Sequence, residues 1–345
     1  MHTQDRIFWV DFVRAVAILL VVVLHSSADL FYEFMNIPMQ EWWTANVYDS
    51  ISHICVPLFV MISGYTLLGK NERLSRFIVR RLGKLILVIV VWSIIFIGYK
   101  SLFENIHTDI MGFVLAIFQG PVYFHLWFLY TLLGLYLILP VLRSFAQHAS
   151  QNAQWYFIGI WLFALIGVPS LEFFIGKTPG ISFVQFSGFV GYLLLGYMLG
   201  KIPRNNRLTA AMIPIAIISP AATMIRTYIA SESIGAVNET FYSYLSPNVI
   251  FASIASFWLL RLLGEAVELR LSSRSKEVLT SLSQASLGIY LIHPLVMKLL
   301  AFKAGISPYM GNPLWSIPLI ALITTVISFG IIWVLKKIPG SKWVM

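Results

Sequence analysis

Apolar positions along this chain gather into long runs instead of alternating with polar ones. Windows of roughly 18–22 residues, the length that crosses a bilayer as a helix, lie at 7–28, 50–69, 83–103, 124–143, 155–175, 183–200, 209–230, 247–263, 284–303 and 314–335. The run 110–119 is apolar but too short to span, and reads as an interfacial or re-entrant helix. No internal repeat, low-complexity segment or long hydrophilic domain interrupts the series. The pattern predicts an all-α integral membrane protein with about ten transmembrane helices, forming a single domain over residues 1–345.

Composition agrees with that reading. Of 345 residues, 58% are apolar and 11% charged, with a mean hydropathy of +0.80. A soluble domain carries roughly a quarter charged residues. The first apolar run resembles a signal peptide, with Ser27-Ala28 as cleavage context, but Asp11 and Arg14 interrupt it and further spans follow. It is therefore read as a retained helix. The lone Cys55 has no disulfide partner in the chain and reads as a small buried hydrophobe.

The net charge of +9 does not indicate nucleic acid, because the basic residues occupy short loops between apolar runs. With a cytoplasmic N-terminus, the inside segments hold Arg6, Lys70, Arg73, Arg76, Arg80, Arg81, Lys84, Arg143, Lys201, Arg204, Arg207, Arg261, Arg270, Arg274, Lys276, Lys336, Lys337 and Lys342. The outside segments hold only Lys100, Lys177, Arg226, Lys298 and Lys303. By the positive-inside rule both termini are expected in the cytoplasm.

Ionisable groups at membrane depth are costly and mark function. The first helix carries Asp11, Arg14 and His25. At roughly 100° per residue, Arg14 and His25 lie within about 20° of one face and about 16 Å apart along the axis. Asp11 is one turn from Arg14 and can pair with it. An interfacial ion pair and a snorkelling end histidine would account for the same three residues. Ser283, Ser286, Tyr290 and His293 form one stripe on the ninth span, suited to chemistry or to simple interhelical bonding. His53 and His125 lie near outer helix ends. His53 reads as structural, whereas His125, beside Trp127, is a candidate to line an outer cleft for a sugar ring.

Two motifs are rejected. Gly64 to Lys70 approximates a phosphate-binding loop but lacks the final Ser/Thr and follows a membrane span. Asn238-Glu239-Thr240 is a glycosylation sequon of a kind that arises by chance. No Cys/His cluster has zinc spacing, so no metal is expected.

The run Trp9-Val10-Asp11-Phe12-Val13-Arg14-Ala15, with His25 following Arg14 after ten intervening positions, resembles the opening helix of the membrane acyltransferase-3 family. Val56 to Tyr65 resembles that family's second-helix motif, His125-Leu126-Trp127-Phe128-Leu129 its Trp-Phe segment, and Ser283 to His293 its late-helix motif. One position departs: the family's Arg-x-x-Arg motif is matched by Arg81 and Lys84, and lysine keeps the charge but loses the bidentate fork.

The resemblance, to the type of short member that O-acetylates surface polysaccharides, implies ten helices. It also implies acetyl transfer from cytoplasmic acetyl-CoA to a glycan or lipid-linked glycan, in the bacterial cytoplasmic (inner) membrane among its lipids. On that footing His25, Arg14 and Asp11 are the expected catalytic group. Arg76, Arg80, Arg81 and Lys84 are expected at the acetyl-CoA phosphates. His125, Trp127, Ser286, Tyr290 and His293 are further site candidates. A transporter or flippase of a small polar molecule is the alternative that buried charges also suit.

Overall fold

The computed structural model describes residues 7–106, 109–175 and 188–344. The described residues form fourteen α-helices: α1 (Phe8–Phe31), α2 (Met39–Ser52), α3 (Cys55–Leu68), α4 (Leu74–Phe77), α5 (Gly83–Phe103), α6 (Ile110–Gln119), α7 (Trp127–His148), α8 (Gln151–Leu162), α9 (Val168–Ile175), α10 (Val190–Lys201), α11 (Asn206–Ile234), α12 (Pro247–Glu268), α13 (Ser273–Ala304) and α14 (Pro313–Leu335). Single π turns at Ile78–Leu82 and Phe163–Gly167 join α4 to α5 and α8 to α9. Among the described residues, nine helical stretches are long and apolar enough to cross a membrane. Arg6, Lys177 and the first five positions of the expected 183–200 span lie outside the described residues.

The helices overrun the apolar windows. The second stretch reaches back to Met39, because α2 carries a buried polar face, including Asn46 and Asp49, that the apolar window leaves out. It breaks at His53–Ile54. Pro57 explains the break: it offers no N–H to the His53 carbonyl four residues back, and its ring crowds that carbonyl. The ninth window begins eleven residues inside α13, whose polar first turns project beyond the apolar span. The short run 110–119 is α6, held at its start by the Asp109 carboxylate accepting from the Gly112 N–H at 2.7 Å.

The direction of α13 relative to α1 sets the count of crossings. Asp11 meets Ser283, Arg14 meets Ser283 and His25 meets His293, so residue number rises together along both helices and they run parallel. Six long apolar stretches separate them among the described residues. An even number would return α13 antiparallel, so a seventh crossing is required. α10 supplies it, with every residue from Gly191 to Gly200 buried among α3, α8 and α12. The start of α1 and the end of α14 then lie on one face of the bundle.

That face gathers most of the cations, and two of them hold helix ends. Arg143 Nε donates to the Leu67 carbonyl at 3.1 Å, and Gln147 donates to Leu68 at 2.8 Å, satisfying carbonyls at the C-terminus of α3. Arg261 does the same for α10, donating to Leu199 at 2.7 Å and Ile202 at 2.8 Å. Both arginines are buried. They serve as caps as well as charges in a basic loop.

α10 and α3 touch backbone to backbone. A Cβ on Gly64 would stand 1.8 Å from the Leu193 oxygen, and one on Gly196 2.0 Å from the Met61 oxygen. Small residues permit this approach between membrane helices, where dispersion and polar contacts replace the hydrophobic effect. The glycine of the false phosphate loop is thus a packing glycine. Gly196→Ala and Gly64→Ala are each expected to destabilise the fold by about 1–3 kcal/mol, read as a lowered melting temperature in detergent. Gly98→Ala, with open space around its Cβ, serves as the unaffected control.

Topology is testable with single cysteines in a Cys55→Ala background. Asn71 and Asn36 are both exposed. From the Lys/Arg asymmetry, an impermeant thiol reagent applied to intact cells is expected to label cysteine at position 36 and spare position 71; the reverse pattern inverts the orientation.

Candidate active site

α1 carries its ionisable residues at two levels, and α13 meets both. At the basic end, Asp11 is buried and accepts a hydrogen bond from Ser283 Oγ at 2.6 Å. Arg14 Nη1 lies 3.7 Å from the same Asp11 oxygen and 3.5 Å from Ser283 Oγ. The expected Asp11–Arg14 pair therefore forms, and the late-helix serine completes it. The Arg14 side chain keeps 30% of its surface.

Glu72 organises the cations nearby. Arg81 Nε bonds Glu72 Oε2 at 2.9 Å, and Arg143 Nη2 lies 3.8 Å from the same oxygen. Lys70, just outside the membrane span, has its ammonium pKa lowered first by burial and then by Arg81, with Arg14 and Arg143 adding to the effect. A positive field therefore converges on this mouth, suited to an anionic group. The four expected phosphate contacts divide here. Arg81 and Lys84 are half-buried, whereas Arg76 and Arg80 are exposed.

Between the levels, Ile18 and Val21 continue the Arg14–His25 stripe and are buried, as is Ile289 on α13. Their spacing of four, three and four residues keeps one face. The two levels are separated by an apolar waist about 16 Å long, by helix geometry.

At the opposite end lies a chamber of about 950 Å³, lined by His25 and by residues of α2, α13 and several connecting segments. The His25 ring stacks on His293 with centroids 5.0 Å apart and planes 21° from parallel, and meets Phe124 edge-on at 5.1 Å. Neither ring nitrogen of His25 has a hydrogen-bond partner among the described residues, so both are open to whatever enters the chamber. His293 is fully buried, with Nδ1 held by the Tyr290 carbonyl at 2.7 Å. Stacked rings turn their nitrogens away from a common point, and no metal-ligating group forms among the described residues.

His125 differs from expectation. It is buried behind the chamber wall, with Nε2 3.3 Å from the Leu291 carbonyl and its ring against Phe96. Its own carbonyl accepts the Tyr290 hydroxyl. The backbone explains this placement: Phe124–Leu126 form a 3-10 turn that points Phe124 outward and His125 inward. Trp127, from the same segment, does line the chamber. Ser286 and Tyr290 are buried in α13; Tyr290 ties α13 to α7, and neither residue lines the chamber.

Of two further chamber residues, Asp49 was missed in the sequence and His53 was read there as structural. Asp49 and His53 line the wall facing α1, and the His53 ring packs on Tyr242 at 4.4 Å and Tyr244 at 5.2 Å. The available signal was an acid and a histidine four residues apart, on one helical face. It was missed because α2 is too polar to register as part of a span. Asn46, on the same helix, is fully buried and donates to the Met224 carbonyl at 3.2 Å.

No curated protein and no solved structure matches the chain at a meaningful level of similarity. A family model does. The model of the acyltransferase-3 family, described as an acyltransferase domain, matches residues 7–335. That span holds both polar levels of α1, all of α13 and the chamber between them, and the chain belongs to that family of membrane acyltransferases.

Proposed function

We propose that the chain is an O-acetyltransferase of the bacterial inner membrane. It takes an acetyl group from acetyl-CoA on the cytoplasmic side and delivers it to a hydroxyl of a cell-surface glycan or its lipid-linked precursor. The O-acetylation of enterobacterial common antigen is a reaction of this kind. One observation carries the reading: His25 stands in the wall of a large chamber with both ring nitrogens open, on the helix whose other end presents Arg14 at a basic mouth.

In this reading the donor's phosphates meet Arg81 and the cations around it, where guanidinium and ammonium suit phosphate. The uncharged arm extends along the Arg14–His25 face. His25 accepts the proton of the acceptor hydroxyl as its oxygen attacks the thioester carbonyl. The tetrahedral intermediate collapses to the ester, and the thiolate of CoA leaves and takes up the proton. His293, stacked behind His25, keeps the ring oriented, while Asp11 and Ser283 hold Arg14. An acetyl-histidine intermediate is a variant of the same scheme. A transporter or flippase draws no support from the family match.

Two measurements test the scheme on purified protein in nanodiscs. His25→Ala is expected to lower acetyl transfer per folded molecule by about 10²–10⁴-fold, the size of a lost general base, or about 3–5 kcal/mol of barrier. Its melting temperature and acetyl-CoA affinity should stay near wild type; retention of more than about a tenth of wild-type turnover is incompatible with a base. Arg81→Ala is expected to weaken acetyl-CoA binding about tenfold or more. It should also flatten the salt dependence of that binding, because one screened phosphate contact is gone. Arg76→Ala and Arg80→Ala, at exposed positions, should change the affinity less. Equal effects at all three sites would reduce the loop to an orientation signal.

A further inference from the structure

Within the chamber, the Asp49 carboxyl is, like the His25 ring, a polar group without a hydrogen-bond partner among the described residues. Asp49 is 4% exposed, yet it borders the cavity. Its nearest basic group is His53 Nδ1 at 3.6 Å, which is too long for a hydrogen bond. That ring nitrogen already engages the Asp49 backbone carbonyl at 2.9 Å. Among the described residues no donor reaches the side-chain oxygens. Two neighbouring polar groups of α2 are engaged elsewhere: Asn46 with Met224 and Tyr242, and Ser50 with Tyr242 at 2.7 Å. A buried carboxyl left this way is costly unless a donor arrives from outside the protein.

The surroundings state what kind of donor fits. His53 packs on Tyr242 and Tyr244, and Trp127 stacks on Tyr244 at 5.4 Å, giving flat apolar faces beside a hydrogen-bond acceptor. A sugar ring has that character, with C–H faces for the aromatics and hydroxyls for the carboxyl. The charge balance refines the class. Four carboxyl-bearing residues line the chamber, Asp29, Asp49, Glu104 and Glu239, against two lysines, Lys100 and Lys298. An anionic sugar would meet like charge there at a cost.

We infer that Asp49 and His53 form the acceptor subsite of the transferase proposed above, and that it takes an uncharged sugar by accepting one of its hydroxyls on Asp49. The inference rests on that transferase reading. His25 lies in the same chamber, so a sugar anchored at Asp49 presents another hydroxyl to the His25 ring. Asp49 and His53 position the acceptor; they take no part in bond making.

The test is a separation of acceptor saturation from turnover. Purified protein in nanodiscs receives acetyl-CoA and the lipid-linked glycan fraction extracted from membranes of cells lacking this chain. Transfer is followed as that fraction is diluted. Asp49→Leu, near in size but without an acceptor oxygen, is expected to raise the half-saturating acceptor concentration about tenfold to a hundredfold, as for a lost hydrogen bond to a charged group. The maximal rate should stay within a few-fold, and acetyl-CoA affinity should match wild type. Asp49→Asn, which keeps one acceptor oxygen, should fall between, and it decides the matter if the leucine variant fails to fold. Unchanged half-saturation, or a fall in maximal rate alone, overturns the subsite. Mass spectrometry of the product that places the acetyl group on a uronic acid or phosphorylated residue overturns the class of acceptor. A wild-type protein that transfers nothing defeats the transferase reading itself, an outcome distinct from a variant that transfers normally.

Discussion

A helix bearing an aspartate, an arginine and a histidine can cross a bilayer only if the bundle answers all three, because lipid cannot. Here α13 does so at two heights. Ser283 hydrogen-bonds Asp11 beside Arg14, and His293 stacks on His25. The rest of the architecture follows from keeping these two helices side by side and in step. They must run parallel, which demands an odd number of crossings between them and gives the short, fully buried α10 its place. Packing α10 then requires glycines where it meets α3, since neither backbone can retreat.

The same arrangement assigns different work to the two ends. At the basic end, cations are held by carbonyls and by Glu72 and Glu265, so a positive field is built from groups that also finish helices. At the other end, polar groups sit in a chamber walled by aromatic rings, and two of them, the His25 ring and the Asp49 carboxyl, remain unsatisfied by the protein. Unsatisfied polar groups that border a cavity mark where a substrate can complete the structure.

Much of this was legible in the chain. The span series, the face shared by Arg14 and His25, the Asp11–Arg14 pair and the stripe from Ser283 to His293 follow from periods of 3.6 residues and from the cost of charge in lipid. What was not legible is pairing in space. Nothing in spacing says that Ser283 meets Asp11 while His293 meets His25. Nothing in a hydropathy window reveals α2, because its buried face is polar and Pro57 divides it from the apolar half of its own span. His125 looked like a chamber residue from its aromatic neighbours, but a single 3-10 turn decides which of Phe124 and His125 faces the cavity. Arg143 and Arg261 read as charges in basic loops, whereas burial makes them caps.

The apolar waist at Ile18 and Val21 has an electrical consequence. Two polar compartments separated by a thin insulating layer concentrate the transmembrane voltage across that layer. Moving one elementary charge through it involves about 2.3 kcal/mol for each 100 mV. An uncharged thioester arm threads such a layer without electrical work, whereas nucleotide phosphates do not. In the transfer proposed above, the waist is a dielectric seal: it passes the reactive end of the acyl donor, holds the anionic head back and leaves the ion gradient of the membrane intact.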